Sequence, residues 1–158
     1  MVNKQQTTSK EHFASVKSFN LPISSKFAME IASNLRNKDL KSAKRILQDS
    51  ISLKRAIKFK KFTMDLAHKA GMAAGRYAVD ACKQVLELLD SVEANAEFKG
   101  LDVNNLIITK IVANKGPKAW HYGRKRRRKS KRAHLEIIVE EKQKEKQDDR
   151  KTIPNKKN

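Results

Sequence analysis

The sequence predicts an α+β fold: three helices packed on a small antiparallel sheet, with a protruding basic β-hairpin. Three observations carry this expectation. Apolar residues recur at helical spacing in three segments between about positions 24 and 97. Two later runs, Leu106–Ala113 (LIITKIVA) and His134–Glu141 (HLEIIVEE), are rich in β-branched residues or alternate strictly. Between those runs lies Lys118–Arg132, KAWHYGRKRRRKSKR, with nine Lys or Arg and no acid. A strand, a basic stretch and a second strand read as an antiparallel hairpin whose ends join the sheet and whose middle projects.

Taken in order, residues 1–11 are polar and without period, and a mobile or RNA-ordered tail is expected there. His12–Phe19 alternates weakly, with Phe13 and Phe19 sharing a parity with Ser15 and Lys17; it suits an edge strand. Ser24 can N-cap a first helix with the stripe Phe27, Ala28, Ile31, Ala32, Leu35, which Asn37 or Lys38 breaks. Asp39 can cap a second, with the stripe Leu40, Ala43, Ile46, Leu47, Ile51, and the tight joint predicts that the two helices pack as a pair. Leu53–Phe62 (LKRAIKFKKF) is a second basic cluster; as a plain charge run it would be a solvated continuation of helix two. Met64–Ala74 reads as a loop, with Gly71 and Gly75 as punctuation. The longest helix is expected from about Ala74 to Glu97, with Tyr77, Ala78, Ala81, Val85, Leu88, Leu89, Val92 and Ala96 on one face and Gly100 as its stop. In the closing strand Leu135, Ile137 and Val139 point inward, and residues 142–158 form a charged tail.

Several function classes fall away. The chain has 158 residues, the size of one domain plus tails, and a net charge of +19. A polyanion is the partner such an excess implies, nucleic acid first and an anionic membrane surface second. No apolar run approaches the ~18 residues of a membrane span, and MVNKQQTTSK lacks the apolar core of a secretory signal. Cys82 is the single cysteine, which excludes an internal disulfide framework and suits a reducing cytoplasm. His12, His68, His121 and His134 are far apart in sequence and no CxxC exists, so neither a metal nor a cofactor is expected. GMAAG at Gly71–Gly75 is not a phosphate loop, and no nucleophile motif occurs; an enzyme is not expected.

The basic stretches carry the chemistry. On the arm, Lys118, Arg124, Lys125, Arg126, Arg127, Arg128, Lys129, Lys131 and Arg132 can neutralise phosphate, and each Arg adds a planar fork for phosphate or guanine. Trp120 and Tyr122 directly precede the densest charge, where aromatics suit stacking on unpaired bases; the structural alternative is that Trp120 packs against the hairpin stem. Lys54, Arg55, Lys58, Lys60 and Lys61 form the connector set. With no zinc-finger spacing and no RNA-recognition aromatic signature, backbone and shape contacts are expected over sequence readout.

The words ANAEFKGLDV (94–103) and LIITKIVANKGP (106–117) resemble the universal large-subunit ribosomal protein family L twenty-two, L seventeen in eukaryotes, in its archaeal and eukaryotic form. Gly75-Arg76-Tyr77 is similar to the opening of the family's third helix, Leu53–Phe62 to its basic connector, Ile23–Lys26 to the start of its first helix, and Arg132–Ile137 to its closing strand. The resemblance covers roughly residues 12–141. It implies an rRNA-binding αβ domain over 12–141 with a hairpin arm at 115–132, flanked by tails 1–11 and 142–158. It implies a structural constituent of the large subunit in the cytoplasmic ribosome, with the arm along the nascent-peptide exit tunnel. The implied partners are large-subunit rRNA, neighbouring ribosomal proteins, and the nascent peptide at the arm's tip. His68, Lys69 and Arg76 near the third helix join the expected rRNA contacts. Two departures stand out: the span between Pro117 and His134 is shorter than usual for the family, and Ala78 stands where a Pro usually follows Gly-Arg-Tyr. The competing reading is a free-standing RNA- or DNA-binding protein or nucleic-acid chaperone using the same basic surface.

Overall fold

The computed structural model describes residues 12–62 and 65–142. The expected tail before residue 12 lies outside them, as does all but Lys142 of the tail after residue 141. The chain runs through β1 (Phe13–Leu21), α1 (Ser25–Leu35), α2 (Leu40–Ile51), β2 (Ile57–Lys58), β3 (Gly75–Arg76), α3 (Val79–Phe98), β4 (Leu106–Lys115) and β5 (Ala133–Glu141). Three strands make an antiparallel sheet in the order β1-β5-β4, and β2 pairs antiparallel with β3 as a separate two-residue ladder. The expected α+β class and the pairing of the two late strands are therefore present.

The sheet is covered on one face, and its strands alternate accordingly. In β5, Ala133, Leu135, Ile137 and Val139 are buried and the residues between them are not fully buried. In β4 the buried parity changes, from Leu106 and Ile108 to Ile111 and Ala113. A register shift between Ile108 and Lys110 accounts for it, because one extra residue turns the following side chains to the opposite face. In β1 the parity with the aromatic rings faces away from the core: Ala14 is fully buried and Val16 packs beside it, while Phe19 is exposed against His134.

Helix α3 lies on β1 and β5 and buries Ala81, Cys82, Val85, Leu88, Leu89, Val92 and Ala96. Its end follows from Gly100, whose φ of +74° is open to glycine at no steric cost. Leu101 N–H donates to Ala96 O at 3.0 Å and Gly100 N–H to Glu97 O at 2.9 Å, the paired closure of a Schellman motif. Cys82 is fully buried, and burial pushes its thiol pKa up, so it serves as packing.

Three expectations need correction. The long helix starts at Val79, not near Ala74: Gly75–Arg76 pairs with Ile57–Lys58, and Phe59 N–H donates to Ala74 O at 3.0 Å. A Cβ at Gly75 would stand 2.5 Å from Met72 Sδ and 3.3 Å from Ala56 Cβ, so any larger residue there must displace the Met72 side chain. The basic cluster after α2 is not a helical continuation. Leu53 takes φ 61°, Lys54 N–H donates to Asp49 O at 2.9 Å and Leu53 N–H to Ser50 O at 3.2 Å, ending the helix without a glycine. Third, α1 and α2 do not pack chiefly on each other; α1 rests on β4 and α2 on α3. Their joint is held open by β4, with Asn37 N–H donating to Ile108 O at 2.9 Å and Ile108 N–H to Lys38 O at 3.0 Å.

Lys44 joins α2 to α3. Its largely buried ammonium pairs with Asp90 at 2.5 Å and with Glu93. Burial opposes its charge, but hydrogen bonds and attraction from the two carboxylates outweigh burial and raise its pKa above 10.5. A raised lysine stabilises the fold fully below its unfolded value and loses that contribution as pH rises through the folded one. Lys44→Met should therefore cost about 1 kcal/mol near neutral pH, the exposure of Asp90 holding the figure down. Urea unfolding of both proteins from neutral to alkaline pH should show the gap closing above pH 10.5; a gap that does not change over that range would mean the loss is one of packing.

Candidate nucleic-acid interface

The connector between α2 and α3 is shaped by one buried acid. Glu30 of α1 is 2% exposed. Its Oε2 accepts from Lys60 N–H at 3.0 Å, and its Oε1 from Lys61 N–H at 2.7 Å and Phe62 N–H at 2.8 Å. Three amide dipoles converging on one carboxylate offset the cost of burying it. One turn on, Asn34 Nδ2 donates to Lys58 O at 2.7 Å, extending the same seam. Held in this way, the backbone of 58–62 turns its charged side chains outward: Lys58, Lys60 and Lys61 are all exposed, as are Lys54 and Arg55.

This pinned backbone also brings together cations that sequence reading did not group. Arg36 and Lys38, in the α1–α2 joint, share a hollow of about 400 Å³ with Arg55, Lys58 and Lys60. Arg36 is positioned by a 3.3 Å bond from Nη2 to Ile111 O. Glu30 and Asn34, an i, i+4 polar pair beside Phe27 on the flank of an apolar stripe, were the legible trace of this arrangement.

The third expected group lies nearby. Arg76, in β3, places its guanidinium 5.7 Å from the centre of the Phe27 ring, and Lys69 its ammonium 5.6 Å from that of Tyr77. His68 is exposed, with Nδ1 3.2 Å from Ala73 O. Because β2 pairs with β3, the connector and Arg76 lie side by side just before α3.

The arm joins that end of the molecule at its root. Gly116 N–H donates to Arg132 O at 2.9 Å, and a Cβ on Gly116 would stand 2.9 Å from Arg132 Cβ, so the two strands close tightly there. Arg132 reaches across to β1, Nη1 donating to Asn20 O at 3.2 Å. Lys131 lines a hollow with Tyr77 and Ala78 at the opening of α3. Farther out, Ser130 N–H donates to Ala119 O at 2.8 Å and His121 N–H to Arg128 O at 2.9 Å, so the two limbs stay in register. Trp120 does not pack on the stem: it is 61% exposed, opposite Lys129, whose ammonium stands 4.0 Å from the ring centre. Tyr122 is almost wholly exposed. Beyond it a 3₁₀ turn at Gly123–Lys125 curls the tip, and Arg124, Lys125, Arg126, Arg127 and Arg128 surround an open concavity of about 680 Å³. Lys118 lies exposed on the outgoing limb.

The charge is one-sided. Among the described residues, no Lys or Arg of 118–132 lies within 4.0 Å of a carboxylate. Four of the five acids of α3, Glu87, Asp90, Glu93 and Glu97, sit instead from its middle to its end, in a helix of 20 residues and about 30 Å. The basic connector and arm root lie at the start of that helix, where Asp80 is its one acid. No group of three or more His, Cys, Asp or Glu among the described residues could hold a metal ion, and no described helix is long and apolar enough to cross a membrane.

The family model described as ribosomal protein L22p/L17e matches residues 16–140. Large ribosomal subunit protein uL22 of Methanoculleus marisnigri is 41% identical over 141 residues, covering 83% of this chain and 91% of that protein. Its counterpart in Archaeoglobus fulgidus is 44% identical over 106 residues, covering 65% and 68%. That of Staphylothermus marinus is 40% identical over 134 residues, covering 78% and 85%.

Proposed function

This chain belongs to the ribosomal protein L22p/L17e family, and from that premise we propose how its basic surfaces serve it. It is a structural constituent of the large ribosomal subunit, at work in the cytoplasmic ribosome, and not an enzyme. Its mechanism is electrostatic and geometric. Residues 12–141 form the rRNA-binding body, with an arm at 115–132. Lys54, Arg55, Lys58, Lys60 and Lys61 on the connector, with His68, Lys69 and Arg76, seat the body on crowded phosphates. The arm's cations carry the contact outward along the wall of the peptide exit tunnel, where its tip meets the nascent chain, and neighbouring ribosomal proteins complete the surroundings.

The single observation that carries this reading is the unbalanced arm. Cations packed this densely repel one another, and only an external polyanion relieves the repulsion. Exposed Trp120 and Tyr122 beside them add faces on which bases can stack. A free-standing nucleic-acid chaperone would use the same chemistry, but the family match over 16–140 favours the ribosome.

Photo-crosslinking in assembled large subunits tests the reading. A photoreactive side chain at position 126 is expected to capture rRNA, and one at position 87, among the acids of α3, to capture far less. Capture of protein alone from position 126 would overturn the assignment of the arm to rRNA.

A further inference from the structure

Beside the connector lies a hollow that phosphate neutralisation does not explain. It measures about 210 Å³ and opens between α1 and the segment pinned by Glu30. Phe59, 3% exposed, forms its floor and meets the Phe27 ring edge-to-face at 5.4 Å. Partly buried Phe27 and Phe62 form its walls. Three cations stand around the rim. Lys26 and Lys61 place their ammonium groups 5.5 and 5.8 Å from the centre of the Phe62 ring, and Arg76 sits over Phe27. Asp65 is the one acid of the lining.

The geometry points to a pocket for a single unpaired nucleobase, a refinement that rests on the rRNA reading above. Three features carry it. The volume is below the roughly 300–1,000 Å³ of sites that enclose drug-sized ligands, which suits one planar ring system. The lining joins aromatic rings to a cationic rim, the combination that receives a base and its phosphate together. The hollow is also built before any ligand arrives, because Glu30 holds the amides of Lys60, Lys61 and Phe62. In the free protein the long Lys and Arg side chains cover the ring faces. An incoming nucleotide offers its base to the rings and its phosphate to the cations, which turn outward on flexible stems. Asp65 then supplies an acceptor for an amino group on the base edge. Where the arm binds any polyanion, this pocket requires a base that is out of its helix.

The test separates base from charge. Two short single-stranded probes of equal length and charge are used, one wholly abasic and one carrying a single central adenine, each titrated against the full chain. The wild type is expected to prefer the adenine probe roughly tenfold, as one stacked base implies. Phe62→Leu keeps the apolar bulk but removes the ring, and should lose most of that preference with an unchanged melting temperature and salt slope. Phe98→Leu, an exposed ring at the last position of α3 outside the basic surfaces, should keep it. Equal affinity of wild type for both probes would overturn the pocket while leaving the rRNA reading standing, with a side chain of a neighbouring protein as the occupant instead. Preference lost in Trp120→Ala but kept in Phe62→Leu would move the base to the arm. Failure of wild type to bind either probe at low salt would count against the rRNA reading itself.

Discussion

Glu30→Ala should lower stability by about 3 kcal/mol and the melting temperature by about 10 °C. The mutation removes a buried carboxylate that accepts three backbone N–H groups at 2.7–3.0 Å. Lys60 and Lys61 are exposed enough for water to replace part of the loss; Phe62 is half-buried and its amide is less easily satisfied. Glu30→Gln separates shape from charge. Its amide oxygen can keep the two bonds of Oε1, but its NH₂ then faces the N–H of Lys60, donor against donor, at a cost of about 1–2 kcal/mol. Amide hydrogen exchange supplies the local readout: Lys60, Lys61 and Phe62 should lose protection in Glu30→Ala, while amides in the middle of α3 change only with global stability. Unchanged protection at those three amides would mean that the connector is held by something other than Glu30. Since the connector carries five of the proposed rRNA contacts, the same variant should also bind rRNA more weakly at temperatures where it remains folded.

Replacing Arg126, Arg127 and Arg128 together with Ala should leave the body intact and weaken rRNA binding steeply. All three are exposed, and none has a carboxylate within 4.0 Å among the described residues, so the melting temperature is expected to stay within about 1 °C of wild type. If each engages one phosphate, the slope of log K against log salt falls by about two to three units. Over a fourfold rise in salt that amounts to roughly a forty-fold difference in how much affinity is lost. Lys at all three positions should restore most of the slope, because counterion release counts charges. A deficit that persists with Lys would locate the planar fork of Arg as the feature the RNA reads. An unchanged slope in the Ala variant would exclude these three as phosphate contacts.

The elements that sequence made legible are those whose pattern repeats within a few residues. The stripe of α3 from Ala81 to Ala96, the alternation of β5, the αL stop at Gly100 and the acid-free run 118–132 each declare themselves locally. Each depends on backbone period, steric freedom or composition, and none needs a distant partner. The family words at 94–103 and 106–117 are likewise contiguous, which is why the family could be read from the chain alone.

What the sequence left open depended on pairs distant along the chain. Helix α2 ends at Ile51 and the chain turns away at Leu53 without glycine, with Leu53 and Lys54 bonded back to Ser50 and Asp49, so composition carried no stop signal. The two-residue ladder of β2 and β3 is too short to show a period, yet it moved the start of α3 to Val79. In β1 the buried parity is that of Ala14 and Val16, while Phe19 meets His134 on the opposite side, a contact between residues far apart in the chain. Glu30 is the plainest case. An acid in a helix reads as solvent-facing, since burial is unfavourable until partners are supplied. Here the partners are amides thirty or more residues away, and only the tertiary fold could bring them. Local pattern and composition were enough to place a basic arm on an αβ body and to make a polyanion the expected partner. Where the second basic surface faces, and the aromatic hollow beside it, came only with the closed chain, because a buried carboxylate gathers distant N–H groups once the fold has brought them to it.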